Sequence, residues 1–426
     1  MHLIYLVQYF RPEKASGGDM VVDLLDGFAA HGWRTDVFTP TPTRNVTEEE
    51  RRIYSTDKKV EQLNAGNTVI HRMALYREGK GFIERTLRYL IFSCQCLYRA
   101  ITFPADFIFT GSGPPTQGAV AGIAKKLTGK KVIYNLQDIF PDSLVNAGIA
   151  KEHSNIVKLG RILEQFTYKN ADAIITISDD MRENLLNKNV PPEKLYVVHN
   201  WIDTAHLNHV DRENNTLFDE LHLPRGNFYI TYAGNLGHVQ GIDLVLEAAE
   251  RLQPYPDIKF VLFGNGSEEE SLRLLIQDKS LANVVLYPLQ PMERVSEVYS
   301  LGNVSLVSCM KVTGGACMPM NTWTISATRT PVLGFFDKPS EFSRIIEDND
   351  LGWCVEAGDS DGLAKCILML KDHSEECLRR ARNARNYVEE KASKGPAVKR
   401  YIQIIEDCLT KELTVSAEKF TWLVNT

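Results

Sequence analysis

The sequence predicts an α/β protein of two doubly wound, Rossmann-like domains with parallel sheets. Three observations lead there. Strand-like and helix-like stretches alternate along almost the whole chain, the order that parallel strands with crossover helices require. The 426 residues exceed what one hydrophobic core usually serves. A polar, loop-like interval from Thr204 to Asn227 parts a first run of alternation from a second. The expected divisions are 1–203, 204–400, and a closing helix and tail, 401–426, that returns toward the first domain.

The first buried strand is Leu3–Val7, followed by Arg34–Thr39, Thr68–His71, Phe107–Thr110, Lys131–Tyr134, Ala173–Ile177 and Leu195–Val198. Helices are expected at Asp19–His31 (closed by Gly32), Ile83–Arg99, Thr116–Leu127, Ile156–Lys169 and Asp179–Leu186. Ser178 is a natural N-cap for the last of these, with Asp179 and Asp180 complementing the helix dipole. The second run of strands is Phe228–Ala233, Lys259–Phe263, Val284–Tyr287, Val304–Ser308, Pro331–Phe335 and Trp353–Val355. Two closing helical stretches, Ser374–Lys391 and Ala397–Lys411, should break at Gly395-Pro396, because proline cannot continue a helix through its interior.

Hydrophobic residues at 44% and charged residues at 24% are ordinary for a soluble globular chain. A net charge of −6 leaves no global basic field for a nucleic acid partner. The eight cysteines, with Cys94 and Cys96 as a C-x-C, lack zinc-like spacing and suit a reducing cytoplasmic setting. No metal and no cofactor is expected. Met1 to Val7 has no basic leader and reads as a strand, not a signal peptide. The longest apolar segment, Tyr89 to Tyr98, is about half of the ~20 residues that span a bilayer.

The most informative stretch is Tyr229 to Glu250, a strand, a glycine-rich turn and an amphipathic helix. Gly234, Gly237 and Gly241 precede an apolar stripe at Ile242, Val245, Leu246 and Ala249. Free backbone N–H groups and the positive end of a helix dipole would meet there, which suits a phosphate. An ordinary βα turn has the same outline, since the spacing is not that of the dinucleotide G-x-G-x-x-G.

Other motifs accompany it: Tyr9-Phe-Arg-Pro12 with Gly17-Gly18, Gln137-Asp-Ile-Phe-Pro141, Ala173-Ile-Ile-Thr-Ile-Ser178, His199-Asn-Trp-Ile-Asp203, Gly234-Asn-Leu-Gly237 with Gln240-Gly241, and Phe263-Gly-Asn-Gly266. In that order and spacing the chain resembles the GT-B glycosyltransferases, specifically the family-4 retaining enzymes. Within these it is most similar to the branch that builds bacterial capsule, O-antigen or exopolysaccharide repeats, as fucosamine transferases do. The resemblance covers nearly the whole chain. It implies an acceptor-side first domain and a nucleotide-sugar-binding second domain facing across a cleft.

Carried over by position, the resemblance places Gly17 and Gly18 beside the donor diphosphate, where glycine permits close backbone approach. Gly234, Asn235, Gly237, His238, Gln240 and Gly241 would form the diphosphate turn, with His238 able to donate to a phosphate oxygen or standing as an exposed loop histidine. Gly264 and Gly266 would line the nucleoside pocket, with the base near Tyr287 to Gln290, including Leu289. Asp138 is the candidate catalytic group, accepting a proton from the acceptor or binding its hydroxyls; capping the next helix is its structural alternative. Gln137 stands where many relatives carry histidine. Several places depart from the pattern. Asn235 and Gln240 replace an arginine and a lysine, as in the fucosamine-transferase branch. Ala316 and Thr324 hold the places of two late glutamates, and Pro319-Met320-Asn321 stands where sister sequences show Pro-Ser-Lys. Lys311 is the nearest cation in sequence to stand in for the missing lysine, with a solvated surface lysine as the alternative.

Retaining transfer in this fold needs electrostatic stabilisation of the departing diphosphate and exclusion of water; amides at Gly237–Gly241 and in the Gly314–Met320 loop would supply part of it. Asp348-Asn-Asp350 reads as a solvated turn rather than a metal site. Lys80, Arg85, Arg88 and Arg99 interleave with Phe82, Ile83, Leu87, Leu90, Ile91, Phe92, Leu97 and Tyr98, and Lys125, Lys126, Lys130 and Lys131 follow. That mixture suits an anionic membrane surface; a core-packed helix with a solvated face is the alternative. The expectation is therefore a cytoplasmic enzyme, peripheral on the inner face of the plasma membrane. It would move a hexosyl or N-acetylhexosaminyl group from a nucleotide-sugar donor, a UDP-sugar, to a lipid-linked saccharide acceptor. The alternatives are a binding-only protein of this fold and a UDP-sugar epimerase.

Overall fold

A computed structural model of the chain describes residues 1–13, 18–44, 46–79, 81–311 and 318–424, with side chains at 82, 83 and 411–424 not described. The chain divides into two compact units, Met1–His199 with Ala397–Thr426, and Asn200–Pro396.

The first unit is built on β1 (His2–Leu6), β2 (Arg34–Pro40), β3 (Val60–Leu63), β4 (Thr68–Met73), β5 (Phe107–Gly111), β6 (Lys131–Leu136), β7 (Ala173–Thr176) and β8 (Leu195–Val197). They form one sheet in the order β3-β4-β2-β1-β5-β6-β7-β8, parallel except for the β3–β4 pair. Leu3 to Leu6 and Ala173 to Ile175 are buried without alternation, as befits strands covered by helices on both faces. The second unit holds β9 (Phe228–Asn235), β10 (Ile258–Asn265), β11 (Val284–Tyr287), β12 (Val304–Ser308), β13 (Val332–Phe336) and β14 (Gly352–Glu356). This sheet runs β11-β10-β9-β12-β13-β14, every pair parallel.

Every strand expected from the sequence is present within two residues of its predicted ends. Among the elements given no range from the sequence, two lie at the edge of the first unit. β3 is a short, largely exposed edge strand of sequence Val-Glu-Gln-Leu, too polar to signal a core and typical of a blunted edge. The helix Glu48–Ser55 buries no residue, but Thr47 and Glu50 cap it reciprocally, a box that is readable in the sequence. One expectation fails. The closing helices are Ser374–Lys391 and Lys394–Val424, so the break falls at Ala392-Ser393 and not at Gly395-Pro396. Pro396 sits in the first turn, where its missing N–H is not needed. The Ile202 N–H donates to the Ala392 carbonyl (3.0 Å) and Ile202 bridges to Ser393, which anchors the interruption.

In the centre of the first sheet Asp36 is 1% exposed and accepts from His2 Nε2 and His71 Nε2, each at 2.6 Å. Burial pushes its carboxyl pKa up, but the His71 and His2 bonds outweigh that and hold it below the ordinary value. Its contribution to stability is thus present above the unfolded carboxylate pKa of about 3.9 and is lost as pH falls through the lower folded value. Asp36→Ala is expected to cost about 2–3 kcal/mol in urea unfolding at neutral pH, a deficit that shrinks below about pH 4.

Candidate active-site loops

Each sheet reverses its strand order beside its first strand, at β1 between β2 and β5 and at β9 between β10 and β12. Loops leaving the carboxyl ends of such neighbours run to opposite faces and leave a crevice where ligands of doubly wound folds bind.

In the second unit the β9 exit is the glycine turn. Gly237 leads into a single helical turn, His238–Gln240, and Gly241 follows at φ +58°, a left-handed conformation that favours glycine. The helix Ile242–Arg251 then buries Ile242, Val245, Leu246 and Ala249 against the sheet. That stripe removes each side chain from water, about 1.5–3 kcal/mol apiece when fully buried, and fixes the helix start. Among the described residues the N–H groups of His238, Val239, Ile242 and Asp243 donate to no group of the protein, as expected of a helix N-terminus awaiting an acceptor. Gln240 folds back so that its Oε1 accepts from the Gly237 N–H (3.1 Å) and from Asn235 Nδ2 (3.1 Å). Asn235 and Gln240 therefore brace the turn from within.

The chain leaving β12 is tied to this turn. Ser308 Oγ donates to the Gln240 carbonyl (2.7 Å) and the Met310 N–H to the Val239 carbonyl (2.7 Å). Lys311 is exposed, its Nζ 3.6 Å from Glu356 Oε1 at the end of β14, so a carboxylate partly matches its charge. On the other side, the Leu236 N–H donates to the Asn265 carbonyl (2.8 Å), and the Leu236 carbonyl accepts from the Glu268 N–H (2.9 Å). A Cβ on Gly264 would lie 2.6 Å from the Gly234 carbonyl oxygen, and one on Gly266 would lie 2.3 Å from the Leu236 carbonyl oxygen. Both glycines are thus needed where β10 meets the turn. Tyr287 stacks on Phe263 at 5.7 Å between ring centroids, and Leu289 is exposed. Pro319, Met320, Asn321 and Thr324 are partly buried at the start of the helix Asn321–Ala327. Gly17, Lys80, Gly314, Gly315 and Ala316 lie outside the described residues.

In the first unit Gly18 opens the helix Gly18–Ala30 after β1. At the β6 exit Ser112 Oγ, from the β5 exit, accepts from the N–H groups of Gln137 (3.1 Å) and Asp138 (3.2 Å). Asp138 is solvent-accessible and its Oδ2 accepts from Ser143 Oγ at 3.0 Å. It does not cap the helix Asp142–Asn146, whose N-cap residue is Pro141. Loss of solvation raises its pKa, reinforced by the neighbouring Asp142 charge and opposed by the Ser143 bond. Asp142 itself is held by Lys188 (2.8 Å), Asn184 (3.0 Å) and Arg161. Beside this, Gln137 Nε2 donates to Asn135 Oδ1 (2.9 Å). Sequence reasoning overlooked Ser112, Ser143 and Ser308; the turn Gly111-Ser-Gly-Pro was the only local signal for the first.

The basic residues expected to face a membrane divide into two sets. Arg88 is buried and donates to the Tyr76 carbonyl, and Lys130 caps the carbonyls of Ala100 and Phe103, each at 2.6 Å. Lys125 and Lys131 pair with Asp172. These four are engaged in the fold: Lys130 at a helix end, Lys125 and Lys131 on a carboxylate, and Arg88 on a loop carbonyl. Arg85, Arg99 and Lys126 remain exposed. In Asp348-Asn-Asp350 the last residue pairs with Arg379 (3.0 Å) and Arg380 (3.2 Å).

Comparison with known proteins follows the same division. Residues 18–206 match the model described as Glycosyltransferase Family 4, and residues 213–387 match that described as Glycosyl transferases group 1. The chain is similar to Escherichia coli WcaI, named as a colanic acid biosynthesis glycosyl transferase, with 25% identity over 416 residues, 95% of this chain and 99% of that one. Among solved structures it is similar to sucrose-phosphate synthase from Thermosynechococcus elongatus (TM-score 0.73, 17% identity, 96% of this chain and 99% of that chain). It is similar also to Anabaena HepE in complex with UDP (TM-score 0.70, 14% identity, 96% and 100%).

Proposed function

We propose that this chain, a glycosyltransferase of the GT-B fold with a family-4 domain followed by a group-1 domain, uses a UDP-linked donor. It transfers the sugar with retention to a lipid-linked saccharide in surface-polysaccharide synthesis. The observation that carries this reading is the glycine turn at the β9–β12 switch point, where the amides of His238, Val239, Ile242 and Asp243 have no acceptor among the described residues. A departing diphosphate concentrates negative charge, and fixed amides at a helix start meet it without reorganising. With Asn235 and Gln240 occupied in bracing the turn, main-chain dipoles supply the compensation that side-chain cations give elsewhere. UDP in HepE supports the choice of nucleotide, and the WcaI name supports the polysaccharide role. Asp138, at the β6 exit, takes the acceptor hydroxyl's proton or positions it.

An anionic membrane surface fits the outer face of three helices that pack side by side, Phe82–Thr102, Gln117–Thr128 and Asn155–Asn170. Leu87, Leu90, Leu127, Leu159 and Ile162 are exposed there among exposed Arg85, Lys126, Lys158 and Lys169, the composition of an interfacial surface. No helix among the described residues is long and apolar enough to cross a membrane; in this reading the enzyme works peripherally, at the cytoplasmic leaflet.

Thermal unfolding with nucleotides tests the donor assignment. A ligand at 100 times its Kd adds about 2.7 kcal/mol to the folded state, so UDP is expected to raise the Tm by several degrees and CMP is not. The reading fails if no nucleoside diphosphate shifts it. Conversion of a UDP-sugar without acceptor would instead favour an epimerase.

A further inference from the structure

We infer that the first unit carries a second oxyanion site, a seat for a phosphate ester, in two adjoining cavities beside β4. The cavities, about 250 and 390 Å3, share Lys59, Arg72 and Ala74 in their walls. Arg99 completes the cationic lining of the first and Arg51 that of the second, and no Asp or Glu lines either.

The observation that points to a ligand is Arg72. Its side chain is 1% exposed, yet Nε and Nη1 are buried without any hydrogen-bond partner among the described residues. Only Nη2 is engaged, by the Arg11 carbonyl and, at 3.5 Å, by Glu61 Oε2. The rings of Tyr54 and Phe10 flank the guanidinium at 4.9 and 5.4 Å, which fixes its plane. A buried guanidinium with open donors is costly unless an anion answers it, and its fork geometry matches phosphate oxygens. The charges of Glu61 and Glu13 act on it, but Glu13 makes no hydrogen bond to its open donors among the described residues. That carboxylate's Oε1 accepts from Thr43 and Arg44 amides (2.6 and 2.9 Å), and its Oε2 makes no hydrogen bond among the described residues.

The remaining lining refines the ligand class. Lys59 is exposed and the Arg99 guanidinium lies over the Phe38 and Tyr98 rings, 5.7 Å from each, whereas Arg51 is spent on the carbonyls of Pro42 and Leu75, each at 2.6 Å. Gln95 Nε2 donates to the Ala74 carbonyl (2.9 Å) while its buried Oε1 has no donor among the described residues, a place for a ligand hydroxyl or a water. Val60, Tyr76 and Tyr98 stand exposed in the cavity walls. Cations below an apolar rim suit a phosphate or diphosphate borne on an apolar chain, and free phosphate shares that chemistry. The site deepens the lipid-linked acceptor reading and rests on it only for the identity of that chain.

The test uses the full chain with its donor site saturated by UDP. Two ligands are compared: inorganic pyrophosphate in thermal unfolding, and flotation with phosphatidic acid vesicles against phosphatidylglycerol vesicles of equal charge. Arg72→Gln risks misfolding, so the deciding variant is Lys59→Gln with Arg99→Gln, both at the surface. The expected result is at least tenfold weaker binding of pyrophosphate, of phosphatidic acid vesicles, or of both, with the UDP-induced Tm rise intact. Loss confined to vesicles identifies a lipid headgroup, and loss with pyrophosphate identifies the phosphate group itself. The inference is overturned if neither ligand binds, if the double variant binds both as the wild type does, or if the two vesicles float equally and pyrophosphate binding is unchanged in the variant. An absent UDP response would sink the donor assignment alone, because pyrophosphate binding lost in the double variant would still stand.

Discussion

Asparagine in place of Asp138 is expected to lower glycosyl transfer by roughly 10²- to 10⁴-fold, the range for loss of a positioned acid or base, and to leave the UDP-induced Tm rise unchanged. The carboxyl group loses solvation and feels the Asp142 charge, so its pKa lies above that of an ordinary aspartate despite the Ser143 bond. A base works only when ionised. The acidic limb of the wild-type kcat/KM profile should therefore lie above about pH 3.9, the unperturbed value, and vanish in the variant. The linkage has the opposite sign from that of Asp36. A raised folded pKa contributes stability below the unfolded pKa, and that stability is lost as pH rises through the folded value. At neutral pH the asparagine variant should then unfold at the wild-type temperature or slightly above. Full activity, or a collapsed Tm, would remove Asp138 from the chemistry.

Gly266→Ala should damage the second unit more than any other single methyl group placed near the donor turn. The new Cβ would fall 2.3 Å from the Leu236 carbonyl oxygen and 2.8 Å from the Leu236 nitrogen. Leu236 cannot yield easily, because both its N–H and its carbonyl are hydrogen-bonded to the β10 exit. The end of β9 must shift, and the amides from His238 to Asp243 shift with it. Overpacking of this kind costs about 1–3 kcal/mol, and the UDP-induced Tm rise should disappear. Gly226, where an added Cβ would meet nothing within 4 Å, provides the control: Gly226→Ala should unfold and bind UDP as the wild type does. A Gly266→Ala protein that keeps its UDP response would mean the donor lies elsewhere.

Much of the architecture is legible because the chain's hydrophobic runs are local. Leu3 to Leu6 and Ile258 to Phe263 announce covered strands, and Ile242, Val245, Leu246 and Ala249 announce a helix face. The bracing of Asn235 and Gln240 is not legible. It depends on a side chain turning back through three residues onto Gly237, which composition does not encode. The Ser308 and Met310 ties join segments far apart in sequence, so no window reveals them. Arg72 is a stronger case. Its isolation arises from Phe10, Arg11, Tyr54, Lys59 and Glu61 arriving from separate elements, and in the sequence it is one arginine on a strand. The helix break departs from the expectation because a proline's effect depends on its place in the turn. In the interior it interrupts a helix, whereas the first turn tolerates it.

The first unit owns two separate lengths of chain, ending at His199 and resuming at Ala397. In the second length Tyr401, Ile404 and Ile405 are fully buried, and the Tyr401 hydroxyl reaches Asn135 at 3.0 Å. During synthesis from the N-terminus, the ribosome therefore releases every residue of the second unit before the first has received its last structural piece. The half that starts first is completed last, and until then the surface meant for Tyr401 stays open to chaperones and to other nascent chains.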